Sequence, residues 1–175
     1  LEGFDAAKWF DEAEHTQNYE RALFQEAEQL FEKEVRVITI PGADLKIAVA
    51  VSDNWQLPAV SRRRGIAVIV VQDPTTRNVQ IFANGKLGVT LKYVAQNIHF
   101  AEQRAFGYVD EKGCPKVTDP MMLRANGYGW PGSCWFYHVS SESLMNGSLT
   151  TWMSPTKLSL SLIVRIVTEG VRFAA

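Results

Sequence analysis

The residues best suited to chemistry gather in one stretch, Trp130 to Ser148, WPGSCWFYHVSSESLMNGS. A Pro-Gly turn leads into an apolar, aromatic strand, SCWFYHVS, which breaks out into His138, Ser140, Ser141, Asn146 and Gly147. In extended backbone Trp135 and Tyr137 share one face, and Phe136 and His138 the other. A strand that only fills a core needs no such polar exit, whereas one delivering a binding loop does. An imidazole, hydroxyls and backbone N–H groups around a glycine can coordinate an anion without net charge. Loops at strand ends are also common ligand sites in sheet proteins. The expectation is that His138, Ser140, Ser141 and Asn146 bind a phosphate, with His138 and Ser140 in contact with it and Gly147 letting the backbone approach. The competing reading is a capped helical turn in which Ser140-Ser141-Glu142 precedes Leu144 and Met145.

Other chemistries find less. Arg62, Arg63 and Arg64 form the dense basic cluster of the chain. Three guanidiniums ahead of an apolar strand could grip phosphate bidentately, or simply keep that strand soluble. The glycine-lysine run NGKLG, residues 84–88, lacks the order of a phosphate-cradling P-loop and reads as a turn with an exposed lysine. His15, His99 and His138 have no metal-ligand spacing to one another, and there is no Cys-x-x-Cys. His99 reads as a solvated or half-buried helix residue, and His15 as a surface residue between two helices. Ser133, Cys134, Ser140 and Ser141 lie near His138, but the Gly-x-Ser-x-Gly elbow is absent and no acidic orienter can be named. Cys134 fits a small core residue better than a reactive thiol. No catalytic residue and no cofactor is assigned within the chain.

Composition narrows the partners. The chain has 175 residues, 46% of them apolar, with 18 basic and 19 acidic side chains and a net charge of −1. This is the size of one domain with an ordinary core. The overall field favours neither a polyanion nor a membrane surface, so a nucleotide or short nucleic acid would need a local basic patch. No apolar run reaches the length of a membrane span. Two cysteines do not make a disulfide scaffold, and a reducing, cytoplasmic setting is expected. The chain opens on Leu1 with a helical pattern, and we expect an excerpt from a longer protein.

The elements that must hold these residues follow from periodicity. Residues 1–34 read as a helical lead-in, with Tyr19, Leu23, Ala27, Leu30 and Phe31 on one face of an amphipathic helix over 18–34. Residues 35–175 read as the core. Residues 35–40 and 46–52 predict a hairpin, and 53–65 a connection or short helical turn. IAVIVVQ, residues 66–72, predicts a strand buried on both faces, turned by DPTTR into NVQIFAN. Thr90 to Phe106 places Leu91, Val94, Ala95, Ile98, Ala101 and Ala105 on one helical stripe. Ser159 is set to cap a final helix and Gly170 to end it. The class is α+β or mixed α/β, one domain with a sheet of about five strands and packed amphipathic helices.

The order of these pieces resembles the C-terminal half of the melanocyte-proliferating-gene protein family, within the DHH phosphoesterase superfamily. That family carries a Gly-Cys-apolar-apolar-apolar-His strand followed by a small residue, a Ser and a glycine-bearing loop. The matching positions are Gly132, Cys134 (displaced by the inserted Ser133), His138, Ser140 and Gly147. YERALFQEAEQLFEK and IAVIVVQDPTTRNVQIFAN also look like family counterparts. The family's Gly-Gly pair after the His is replaced by Asn146-Gly147, and residues 85–132 do not follow its pattern. Its metal-binding Asp and Asp-His-His motifs belong to an N-terminal half that nothing here matches. The resemblance implies a phosphate- or nucleotide-binding domain of a metal-dependent phosphoesterase. Divalent metal and an N-terminal catalytic domain would then lie elsewhere in the parent, or the chain would act in a homo-oligomer. The alternative is a non-catalytic protein-interaction domain.

Overall fold

The computed structural model describes residues 6–40, 42–124, 134–147 and 155–173. Its centre is the run that has no polar face to offer water. Val68–Gln72 forms β3, with its first four residues buried. Such a strand needs neighbours on both edges and cover on both faces. β2 (Leu45–Val51) lies parallel on one side and β4 (Val79–Ala83) antiparallel on the other. The β3–β4 turn is held by Asp73, whose Oδ1 accepts from the N–H groups of Thr76 at 2.6 Å and Thr75 at 2.8 Å. Those bonds, the Thr76 N–H foremost, hold the Asp73 carboxyl below the usual carboxylate range.

β1 (Arg36–Ile40) extends the sheet beyond β2 as the expected hairpin. On the opposite side the order runs β4, then β7 (Ser143–Asn146), then β6 (Trp135–His138). The described residues thus form a mixed six-stranded sheet, β1-β2-β3-β4-β7-β6, with a separate pair of β5 (Val89–Thr90) and β8 (Arg172–Phe173). With four helices among the described residues this is an α+β fold, its main sheet one strand larger than expected and the short β5–β8 pair not expected at all. The extra strand is β7. Its sequence, Ser-Leu-Met-Asn, reads as loop, yet it pairs with both β4 and β6 and buries Leu144 completely.

Alternation assigns the two faces. Ile47, Val68, Val70 and Ile81 point to α3 (Lys92–Ala105) and α4 (Leu160–Gly170). Ala48, Ala50, Ile69 and Val71 point to α1 (Ala6–Lys33) and α2 (Leu57–Arg63). α1 is one uninterrupted helix, so His15 lies within it rather than between two. Its C-terminal half docks through Ala27 and Phe31, while Trp9, Phe10 and Tyr19 are 53%, 65% and 60% exposed. Ser159 caps α4 as expected, its Oγ accepting from the Leu162 N–H. Gly170 differs from expectation. It is the last helical residue, lacks a positive φ, and is there for contact, since a Cβ would come within 3.2 Å of Val94.

Gly147 also departs from its predicted role. It is buried at φ +65°, and a Cβ there would sit 2.7 Å from Asn78 Oδ1. What approaches this backbone is the Asn78 side chain, which occupies the space a ligand would need. Gly147→Ala therefore combines left-handed strain with a clash and is expected to lower unfolding free energy by about 1–3 kcal/mol. Denaturant unfolding should show partial recovery when Asn78→Ala is added; an unchanged midpoint for Gly147→Ala would refute this packing.

Candidate functional site

The predicted site residues separate into three groups. Ser141, Arg62 and Arg63 come together, lining one hollow of about 520 Å³ with Ala83, Asn84, Gly85 and Lys86. His138 and Ser140 are exposed at the end of β6 and on the following turn, outside that described lining. Arg64, Asn146 and Gly147 are committed to the fold. Arg64 pairs with Glu32 and lies over the Phe31 ring at 4.8 Å, tying α2 to α1. Asn146 is fully buried, its Nδ2 donating to Cys134 O at 2.8 Å and its Oδ1 accepting from Thr156 N at 2.7 Å. Fully buried and matched at both ends, this side chain is out of reach of a phosphate in solvent. Gly132, Ser133 and Ser148 lie outside the described residues.

The hollow is assembled by backbone bonding from distant segments. Asn84, buried at the exit of β4, donates from Nδ2 to the carbonyls of Arg62 at 3.3 Å and Ile66 at 3.2 Å. Its Oδ1 accepts from Lys86 N at 3.2 Å. One amide thereby sets the end of α2 against the turn that carries Lys86. The 3-10 turn Val139–Ser141 is fixed from the other side, since Ala83 N donates to Glu142 O at 2.9 Å. Glu142 sits at φ 44°, a left-handed conformation disfavoured for an L side chain. Its carboxylate accepts from Leu91 N at 2.7 Å, Tyr137 Oη at 2.9 Å and Thr90 Oγ1 at 3.2 Å. These bonds anchor the turn at the start of α3, where a carboxylate also suits the helix dipole.

The result is a concentration of one sign of charge. Arg62, Arg63 and Lys86 line the hollow, no described lining residue is acidic, and Ser141 adds a hydroxyl. Ser141 Oγ is 2.8 Å from Ser143 Oγ. Arg63 is steadied by stacking 4.4 Å over the Phe24 ring. Among the described residues the ion pairs are Lys8–Glu12 and Arg64–Glu32, so these three cations have no carboxylate partner there. Lys86 was legible only as an exposed turn lysine; its approach to the arginines depends on Asn84 reaching back across 22 residues. No group of three or more His, Cys, Asp or Glu side chains among the described residues could hold a metal ion. Nor is any helix among them long and apolar enough to cross a membrane.

A second polar cluster centres on Glu102, which no motif singles out. Glu102 is fully buried beneath β6, where its Oε1 accepts from Trp135 Nε1 at 3.0 Å and from the Thr156 hydroxyl. Lys157 N approaches Oε2 at 3.4 Å. His99 is fully buried too, not solvated, with Nδ1 donating to the Leu123 carbonyl. The signal was present, because Ile98 and Glu102 are one helical turn apart on the apolar stripe. The stripe is rotated from expectation: His99, Glu102 and Gln103 are buried and Ala105 is exposed. Cys134 is buried beside this cluster. Burial first, then the Glu102 charge, pushes its thiol up to about 12. That is the profile of an inert core cysteine.

No protein-family model, no curated protein and no solved structure matches the chain.

Two measurements check the buried cluster. Of the two cysteines, only exposed Cys114 should react with a thiol reagent at pH 8 in the native protein, and both after unfolding. Rapid native labelling of Cys134 would contradict its placement. Burial lowers the His99 pKa, opposed by hydrogen bonds to the Leu123 and Trp135 backbone. The unfolded chain then takes up a proton first as pH falls through the ordinary value of 6.5. Stability is full above that pH and declines below it, by up to about 1.4 kcal/mol per pH unit. Denaturant unfolding of His99→Gln from pH 7.5 to 5 should show a shallower decline than the parent, and parallel curves would exclude His99 as the source.

Proposed function

We propose that this chain is a phosphate-binding domain, with Arg62, Arg63, Lys86 and Ser141 as the contact residues. The observation that carries the reading is the convergence of three cations without carboxylate partners on one open hollow, among the described residues. Like charges held together raise the local potential, and an anion entering the hollow relieves that repulsion. Guanidiniums engage phosphate oxygens through paired N–H donors, and the lysine acts as a mobile point charge. The substrate class is a nucleotide or short nucleic acid. Taken with the family resemblance, the parent is a DHH-like metal-dependent phosphoesterase whose divalent metal and catalytic groups belong to an N-terminal domain outside this chain. The two free cysteines fit a reducing, cytoplasmic setting.

Calorimetric titration with inorganic phosphate, pyrophosphate and a 5′-phosphorylated dinucleotide tests the site. Arg62→Ala/Arg63→Ala should weaken pyrophosphate at least about tenfold, the scale of one charge-assisted contact. Binding should also weaken as salt rises. His138→Ala should change affinity less than about twofold. No binding at millimolar ligand, or equal binding by the double variant, would end the proposal.

A second reading, a protein-interaction domain, is favoured by one observation. Trp9, Phe10 and Tyr19 stand exposed on the half of α1 that extends past its docked end. Sedimentation of Trp9→Ser/Phe10→Ser beside the parent separates the two readings. Loss of self-association with phosphate binding intact would assign α1 to a homo-oligomer contact.

A further inference from the structure

A larger cavity, of about 940 Å³, opens between α3 and α4 on the other face of the sheet. It shares no described lining residue with the phosphate hollow. Its shape follows from where the helices touch. Gly170, at the end of α4, lets that end close against Val94 near the start of α3. Toward the end of α3 and the start of α4 the helices stand apart, and the cleft opens there. Helical spacing puts Phe100 and Arg104 on the α3 wall and Leu162, Arg165 and Ile166 on the α4 wall. Lys157 closes the rim, its ammonium 4.0 Å from the centre of the Phe106 ring.

Two properties define what would fit. The inner wall is apolar through Phe100, Leu162 and Ile166. The charged lining consists of Arg104, Lys157 and Arg165, with no described acidic lining residue and no carboxylate partner for any of the three among the described residues. The N-terminus of the eleven-residue α4, at Ser159, adds its dipole to the same rim. The Lys157 N–H donates to buried Glu102 Oε2 at 3.4 Å and the neighbouring Thr156 hydroxyl to Oε1, so this part of the rim is tied to the core. A cavity of this volume lies within the usual range for small-ligand sites.

We propose that this cleft binds a small amphipathic anion: a carboxylate, phosphate or sulfonate head held by Arg104, Lys157 and Arg165, with an apolar body against Phe100, Leu162 and Ile166. The fluorescent probe 1-anilinonaphthalene-8-sulfonate carries both features. It should bind the folded chain, and laurate and dodecyl phosphate should displace it; the more effective of the two identifies the preferred head group. Inorganic phosphate, a head without a body, and dodecanol, a body without a head, should not displace it. Arg104→Glu/Arg165→Glu should weaken probe binding at least tenfold, and Arg62→Ala/Arg63→Ala should leave it unchanged. If the charge-reversed variant unfolds by circular dichroism, Arg104→Gln/Arg165→Gln provides the same comparison. Equal probe binding by the folded variant, or equal displacement by dodecanol and laurate, would overturn the proposal. Because the two arginine pairs are separate, failure here leaves the phosphate hollow standing, and the reverse also holds.

Discussion

Burial of β3 on both faces is the constraint from which the architecture follows. Val68, Val70, Ile69 and Val71 alternate between two helical layers, and removing either layer would expose a continuous apolar strand. At roughly 1.5–3 kcal/mol for each buried aliphatic side chain, that exposure outweighs any surface ion pair in the molecule. Both layers are therefore obligatory. Each ends in a concavity whose charged lining is basic among the described residues: Arg62, Arg63 and Lys86 where α2 meets the exit of β4, and Arg104, Lys157 and Arg165 where α3 and α4 part.

Three polar side chains, Asn84, Glu142 and Glu102, act as joints between segments. Asn84 fixes the end of α2 to the Lys86 turn, Glu142 fixes the 139–141 turn to the start of α3, and Glu102 joins α3 to β6 and to Thr156. Each joint brings residues more than twenty positions apart into hydrogen-bond range. A buried carboxylate or amide is tolerated when its donors and acceptors are matched, and costly when they are not. These joints hold the charged rims in place.

Local patterns are legible in the sequence. The β1–β2 and β3–β4 hairpins, the doubly buried β3, α3, and the Ser159 cap all follow from alternation or helical spacing over a few residues. β7 is not legible, because Ser143 and Asn146 look like loop residues until their partners are known. Asn146 is core only because Cys134 and Thr156 meet its two ends, and Gly147 serves Asn78 rather than a ligand. The same limit governed the site. Arg62, Arg63 and Ser141 are legible in the sequence, whereas the place of Lys86 beside them and the pairing of Arg64 with Glu32 depend on the tertiary contacts.

By itself the order of amino acids determined the two hairpins, the doubly buried β3, the existence of α3 and α4 and the α+β class, because backbone geometry ties side-chain direction to spacings of two and of three to four residues. Tertiary structure alone decided which cations stand together, which polar side chains are consumed by the core, and which strand fills the gap between β4 and β6. Those outcomes depend on contacts between segments far apart in the chain, and no short-range period encodes who will meet whom.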